Sequence, residues 1–426
     1  MSPLLALSGF MLLLLAGFPV FLVLGIVSLA LFAAEGQPLV SMPQLFINHL
    51  KSDTLVSVPF FVIAATFMQR GGIAKALVDF AYGWIGGVRG GIALVCVLAT
   101  MVFSAISGSS VATAMAMGTL LVPAMRNSGY DERFALGVVA SSGTLGILIP
   151  PSLAMILFAV VAGESVPQLF LAGVLPAVVQ ICLFSIWIVY FSRRRGYAAG
   201  ERLSGSEFWA VNRRALPAML LPAIILGGIY SGLVTVNEAA GMAAFISILV
   251  SLIFYKGCSL AEVPGILADS IKATAVIFFI TIGALAFGHW ITSEGFAKRM
   301  IDYVVENELS AWQFLLLINA VMFLLGMFLE TVAVILIVVP LVLPLLAPLG
   351  IDPVHFAVII VINMEIALLT PPVGLNLFIM SSTTGAPVDE VARGVLPFIV
   401  LLLGLLAMVT FIPQLSLFLP EMFYGR

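Results

Sequence analysis

Gly143-Thr144-Leu145-Gly146-Ile147-Leu148-Ile149-Pro150-Pro151-Ser152 and Leu369-Thr370-Pro371-Pro372-Val373-Gly374-Leu375-Asn376 contain the only two Pro-Pro pairs of this chain, 221 positions apart. Each pair follows a long apolar run. Two consecutive prolines remove two backbone donors and push the preceding residue out of the α region. Each run is therefore expected to be a helix broken in its middle, with free carbonyl oxygens at the break.

The offset extends outward from the breaks. Gly-Val-Leu-Pro occurs only at 173–176 and 394–397, and Pro123, Gly129 and Asp131 are matched by Pro344, Gly350 and Asp352. Upstream, Gly72-Ile73-Ala74-Lys75 echoes Gly295-Phe296-Ala297-Lys298 at an offset of 223. Punctuating residues that keep register without an insertion identify an internal repeat.

Before each break lies a pair of short apolar runs. Residues 91–106 are interrupted by Ser107-Gly108-Ser109-Ser110, and the run resumes to Pro123 and Arg126; in the second half 310–327 turns through Gly326 to Thr331, and 332–347 returns. Each leg is shorter than the about 20 residues needed to cross the hydrocarbon core. The expected element is a re-entrant helical hairpin with its tip inside the bilayer, where protein, water or an ion must satisfy the polar groups. Hydroxyls at such a tip, facing the free carbonyls of a break, form a neutral oxygen cage suited to Na⁺, and half-helix N-termini nearby suit an anionic substrate.

Composition agrees with a membrane location. Of 426 residues, 62% are hydrophobic and 9% charged, against roughly 25% charged in a soluble domain. Apolar runs at 4–34, 167–191, 215–233, 238–255, 271–292 and 395–413 are each long enough to span. The first exceeds a signal-peptide core and is expected to stay uncleaved. Nine full crossings plus two hairpins leave only Lys51, Lys298, Arg299 and Arg426 on one face and the other fourteen of 18 Lys and Arg on the opposite face. The positive-inside rule then gives a cytoplasmic N-terminus, a periplasmic C-terminus and a second repeat inverted relative to the first.

Other chemistries find little support. A net charge of −3 comes without a basic, aromatic-interleaved patch for nucleic acid. Cys96, Cys182 and Cys258 lack metal-ligand spacing and read as packing residues. The Gly-x-Ser-Gly and Gly-x-Gly-Asp patterns of intramembrane proteases are absent, so no enzyme is expected. Of the 21 acidic residues, only Glu330 and Glu365 fall well inside apolar segments. Their repeat-related positions are Ser109 and Thr144. Cation coordination, proton relay and a structural hydrogen bond are all open roles for these two candidate coupling carboxylates.

The expected fold is thus an all-α polytopic membrane protein with inverted repeats, two re-entrant hairpins and two broken helices. Residues 1–53 form a first scaffold helix and amphipathic arm. The first repeat, 54–191, holds hairpin 1 (about 91–126) and a broken helix (about 132–163); 192–270 is an Arg-rich cytoplasmic linker with scaffold helices and a second arm at 260–270. The second repeat, 271–413, holds hairpin 2 (about 310–347) and a broken helix (about 354–384), and 414–426 is a C-terminal tail.

With Ser107-Gly108-Ser109-Ser110-Val111-Ala112-Thr113 and the two Pro-Pro motifs in place, the full length resembles the large membrane subunit of tripartite ATP-independent periplasmic (TRAP) transporters. The resemblance implies a Na⁺-driven elevator in the bacterial inner membrane, fed by a soluble periplasmic substrate-binding protein. It implies a small membrane subunit, here expected as a separate chain, and carboxylate substrates such as C4-dicarboxylates or sialic acids. Carried over by position, one Na⁺ site comprises Ser107, Ser110, Gly146, Ile149 and Pro151, and the other Thr331, Thr370 and Pro372. The substrate is expected near Ser109, Thr144, Ser152 and Asn376, without a residue assigned to it. The competing reading is a stand-alone carboxylate or ion transporter of the wider superfamily, whose Ser-Asn-Thr tips are absent.

Overall fold

The structure, a computed structural model, describes residues 8–425 apart from 11, 14, 15, 35, 37, 39, 41–43, 45, 46, 48–52 and 294. The first amphipathic arm, 41–53, lies almost wholly outside the described residues, as does Arg426. Every regular element among the described residues is a helix.

The repeat is visible first in how helices stop and start. Helices α1 (Val20–Ala34), α2 (Asp53–Arg70) and α3 (Ile73–Ile85) lead to a helix-turn-helix pair, α4 (Gly91–Ser107) and α5 (Ser110–Asn127). Beyond α5, Gly129 adopts φ 79°, and the Tyr130 amide donates back to the Met125 carbonyl at 3.1 Å. Only a residue without a Cβ takes that left-handed turn at no cost. Asp131 then accepts from the Phe134 amide at 3.1 Å and caps α6 (Glu132–Leu148).

The second half repeats this chemistry. Helices α7 (Leu153–Ala162), α8 (Val166–Arg195), α9 (Gly205–Tyr230), α10 (Val236–Leu249), α11 (Val263–Ser293) and α12 (Phe296–Glu306) precede a second pair, α13 (Ala311–Gly326) and α14 (Thr331–Leu346). There Gly350 takes φ 67°, the Ile351 amide bonds the Leu346 carbonyl at 2.9 Å, and Asp352 caps α15 (Pro353–Leu368) through the Val354 amide at 2.7 Å. Glycine, aspartate and bonded carbonyl all sit 221 residues from their counterparts. Helices α16 (Leu375–Thr384), α17 (Val388–Phe411) and α18 (Gln414–Tyr424) complete the chain.

Both Pro-Pro pairs interrupt helices. Ile149 is extended at φ −78°, ψ 129°, and Ser152 caps the helix that resumes as α7. In the other half the chain turns at Gly374, φ 55°, before α16. The peptide bond within each pair is cis.

At the centre, residues 134–148 of α6 and 354–368 of α15 are buried on every side, as befits helices apolar all round. Backbones approach most closely where α6 crosses α17: a Cβ on Gly137 would lie 2.0 Å from the Gly394 carbonyl oxygen. Small residues allow this contact, and close packing is what holds helices together in lipid. Arg133 and Glu390 pair in a two-pronged ion pair at the end of the same crossing. Peripheral helices face outward with Leu216, Leu220, Phe279, Val400 and Phe411 exposed, the surface a bilayer would cover.

One element differs from the expectation. The second arm and the following span form one 31-residue helix, α11, because nothing near 270 removes a backbone donor. The tail is helical: α18 packs against α8, and its Ser416 hydroxyl lies 3.2 Å from His355 Nδ1.

Candidate functional site

The tips of the two helix pairs meet at one cavity. It measures about 420 Å³ and is lined by Ser107–Ala112 from the first tip and Glu330, Thr331 and Val332 from the second. Thr66 and Gln69 of α2, Ala273, Val276 and Ile277 of α11, and Ile147, Leu153 and Leu368 of the broken helices add to its walls. A larger apolar groove of about 950 Å³, lined by α3, α4 and α8, lies away from both tips.

Each tip is fastened to its own break by main-chain atoms. The Leu153 amide donates to the Gly108 carbonyl at 3.3 Å, and the Gly374 amide donates to the Met327 carbonyl at 3.2 Å. Leu153 and Gly374 occupy equivalent positions. Main-chain donors released by the prolines' interruption thus find acceptors that the tips' own helices leave free.

The first tip is internally satisfied. Thr113 Oγ1 donates to the Ser109 carbonyl at 2.7 Å and therefore accepts from Ser107 Oγ, also at 2.7 Å. Ser109 Oγ accepts from the Ala112 amide at 3.4 Å, and Ser110 Oγ accepts from Asn376 Nδ2 at 2.7 Å. Gly146 abuts this turn, where a Cβ would lie 2.6 Å from the Ser109 carbonyl oxygen. A Cβ on Gly108 would lie 2.7 Å from the Pro151 carbonyl oxygen. Ser107, Ser110, Gly146 and Pro151 are thereby brought into one neighbourhood, and Ile149 is buried in the break beside them.

At the second tip Glu330 caps α14 by position, yet its side chain makes no capping bond and faces the cavity. Thr331 is buried, and its hydroxyl has no protein partner. Thr370 Oγ1 donates to the Ile366 carbonyl at 2.7 Å, and both Pro371 and Pro372 are exposed. The structure shows no bond between Thr331 and either Thr370 or Pro372.

The residues expected near substrate divide. Ser109 lines the cavity. Ser152 is committed to the Ile147 carbonyl at 2.5 Å and to capping α7, Asn376 joins the second half to Ser110, and Thr144 lies away from the cavity beside Glu365. The two carboxylates also part company: Glu330 borders the cavity, whereas Glu365 is fully buried. Glu365 Oε2 lies 2.8 Å from Thr144 Oγ1 and 2.5 Å from Gln180 Nε2. Sequence reading overlooked Gln180, Thr66 and Gln69. Gln180 is an uncharged amide inside the apolar run 167–191, which a search for buried acidic residues passes over.

Comparison with known proteins supplies the remaining evidence. The family described as "Tripartite ATP-independent periplasmic transporter, DctM component" matches residues 7–415. The chain is 45% identical to the C4-dicarboxylate TRAP transporter large permease protein DctM of Pseudomonas aeruginosa, over 86% of each chain. It is 34% identical to the sialic acid TRAP transporter large permease protein SiaM of Vibrio cholerae, over 98% of each. It matches 66% of the isethionate TRAP transporter permease protein DctMQ of Oleidesulfovibrio alaskensis at 33% identity, with 98% of this chain covered. Among solved structures, the YdaH transporter of Alcanivorax borkumensis superposes with TM-score 0.63 at 15% identity, covering 87% of each chain.

Proposed function

This chain belongs to the DctM component family of TRAP transporters, a family of multi-pass membrane permeases, and from that membership we propose that it carries a small organic anion into the cell, driven by Na⁺. The observation that most supports the reading is the cavity shared by both tips, each tip tied by a main-chain bond to the residue just beyond its own break. A substrate site where two repeat-related elements meet is the arrangement on which alternating access turns.

In this reading the substrate is a carboxylate such as a C4-dicarboxylate or a sialic acid. It occupies the cavity near Ser109. One Na⁺ takes the hydroxyls of Ser107 and Ser110 with carbonyls around Gly146, Ile149 and Pro151, and a second takes Thr331 with Thr370 and Pro372. The unpartnered Thr331 hydroxyl supports the second assignment, because a buried oxygen without a bond is costly unless a ligand uses it. Glu330, on the cavity wall, is the carboxylate placed to sense the coupling ion.

The helices carrying tips and breaks move as one body against the peripheral helices, an elevator-type cycle. The chain sits in the inner membrane with its N-terminus cytoplasmic and its C-terminus periplasmic. It works with a small membrane subunit and a soluble periplasmic binding protein, and the DctMQ relative leaves both a separate and a fused small subunit within the family's range.

The test is uptake into proteoliposomes of this chain with its small subunit. Transport is expected only with the loaded binding protein and an inward Na⁺ gradient. Equal uptake of free substrate would defeat the tripartite reading, and equal uptake without Na⁺ would defeat the coupling.

A further inference from the structure

Glu365 lies at the only point where hydrogen bonding joins two of the broken helices' repeat-related positions among the described residues. Thr144 on α6 and Glu365 on α15 are 221 residues apart, the repeat offset, and they touch. A position that contacts its own counterpart lies where any two-fold relation between the halves must pass.

The hydrogens around this contact can be counted. Thr144 Oγ1 owns one hydrogen and two lone pairs. It lies 2.8 Å from the Ser141 carbonyl oxygen, which can only accept, and it accepts from Gln180 Nε2 at 3.4 Å. Its one hydrogen faces two acceptors at 2.8 Å, the Ser141 carbonyl and Glu365 Oε2, and one lone pair takes Gln180. A protonated Glu365 relieves this: Thr144 donates to Ser141 and accepts the carboxyl hydrogen on its remaining lone pair. An ionised carboxylate would leave two acceptors competing for a single hydrogen.

The surroundings agree. Glu365 is fully buried, its Oε1 has no protein partner, and no charged side chain acts on it. Titratable groups on the helices packed around α15 stand at helix ends or on the surface. Glu132 and Arg133 open α6, Asp389, Glu390 and Arg393 open α17, Glu330 precedes α14 at the cavity, the arginine run closes α8, Glu421 and Tyr424 lie at the end of α18, and Cys182 and Tyr190 are exposed. His355 is on α15 itself, near the opposite end. A bare carboxylate oxygen in such a place is far costlier than the bare carbonyl of a neutral acid.

We propose that Glu365 is a neutral carboxylic acid, a bound proton shared with Thr144, and that it positions α6 against α15 without serving as a ligand for the coupling ion. The contact is a fixed fastener between the halves, and Glu365 is not among the residues that line the cavity.

The test uses the full chain in detergent and needs no transported substrate. Glu365→Gln keeps the size and neutrality of the group and replaces its O–H by an N–H donor. It is expected to unfold within a few degrees of wild type, and the wild-type-minus-variant infrared spectrum at neutral pH should contain the carbonyl stretch of a protonated carboxyl group. Glu365→Ala, which leaves Gln180 and Thr144 without their partner, is expected to lower the unfolding midpoint by on the order of 5 °C or more. A carboxylate band in place of the acid band overturns the proposal. So does a Gln variant that fails to fold, or one as unstable as Ala.

Discussion

The two breaks share a backbone and differ in how their polar groups are met. In the first half Pro150 and Pro151 are buried, Ser109 caps its own helix, and Ser107, Thr113 and Ser110 satisfy one another or Asn376. In the second, Pro371 and Pro372 are exposed, Glu330 leaves its helix uncapped by its side chain, and the Thr331 hydroxyl is unpaired. One tip is closed over its break, whereas the other has polar groups left to give. Duplicated architecture therefore need not mean duplicated chemistry, and the second tip is the one with more to gain from a ligand.

The same comparison extends to packing. Gly146 on the first broken helix lets the first tip approach, and its counterpart in the second half is Ala367. There the small residue has moved to the partner: Gly326 on α13 accommodates the Ala367 methyl, and a Cβ at 326 would lie 2.7 Å from it. The largest expected effect follows. Gly146→Ala drives a methyl into a main-chain carbonyl and should cost about 1–3 kcal/mol with loss of uptake. Gly326→Ala should cost a similar amount alone and recover much of it when combined with Ala367→Gly. Thermal unfolding of the four variants decides the matter, and no recovery in the double variant would break the comparison.

Removing hydroxyls sharpens it. Ser107→Ala with Ser110→Ala strips bonded groups, leaves Asn376 Nδ2 unpaired, and should cost about 1–3 kcal/mol of stability besides weakening Na⁺ dependence. Thr331→Val strips an unbonded one, so stability should hold within about 0.5 kcal/mol or rise while Na⁺ dependence still weakens. Uptake against Na⁺ concentration, read beside unfolding midpoints, separates the two. Equal destabilisation by both would show that the second tip is as well satisfied as the first.

The smallest effect concerns pH. Arg133 beside Glu390 holds that carboxyl below its ordinary value. A lowered value means stability present above the unfolded carboxylate's about 4.3 and lost only as pH falls through the lower folded value. The pair is exposed, so unfolding of Glu390→Gln should track wild type from neutral pH upward, with any difference gone in acid. A stability gap that grows with pH above neutral would contradict this.

What the sequence disclosed was whatever depends on a single residue's backbone chemistry. Pro-Pro places the breaks, and Gly129 with Asp131, like Gly350 with Asp352, ends one helix and caps the next in the manner their residue types require. What stayed hidden depends on helices far apart in the chain. Gln180 lies 185 residues from Glu365, and no local pattern announces that α8 delivers an amide to α15. Likewise, Thr66 and Gln69 look like ordinary residues of an apolar helix until α2 closes the cavity. The extent of α11 was missed for the opposite reason, since a change in amphipathic pattern at 270 carries no chemical instruction to stop.

The main-chain bonds from Leu153 to Gly108 and from Gly374 to Met327 are indifferent to which side chains stand at the tips. That leaves positions 109 and 330, serine in one half and glutamate in the other, free to diverge without loosening the frame. Point substitution at either tip can thus change the chemistry facing the cavity while the frame keeps its shape, much as a lathe changes cutters on an unaltered spindle.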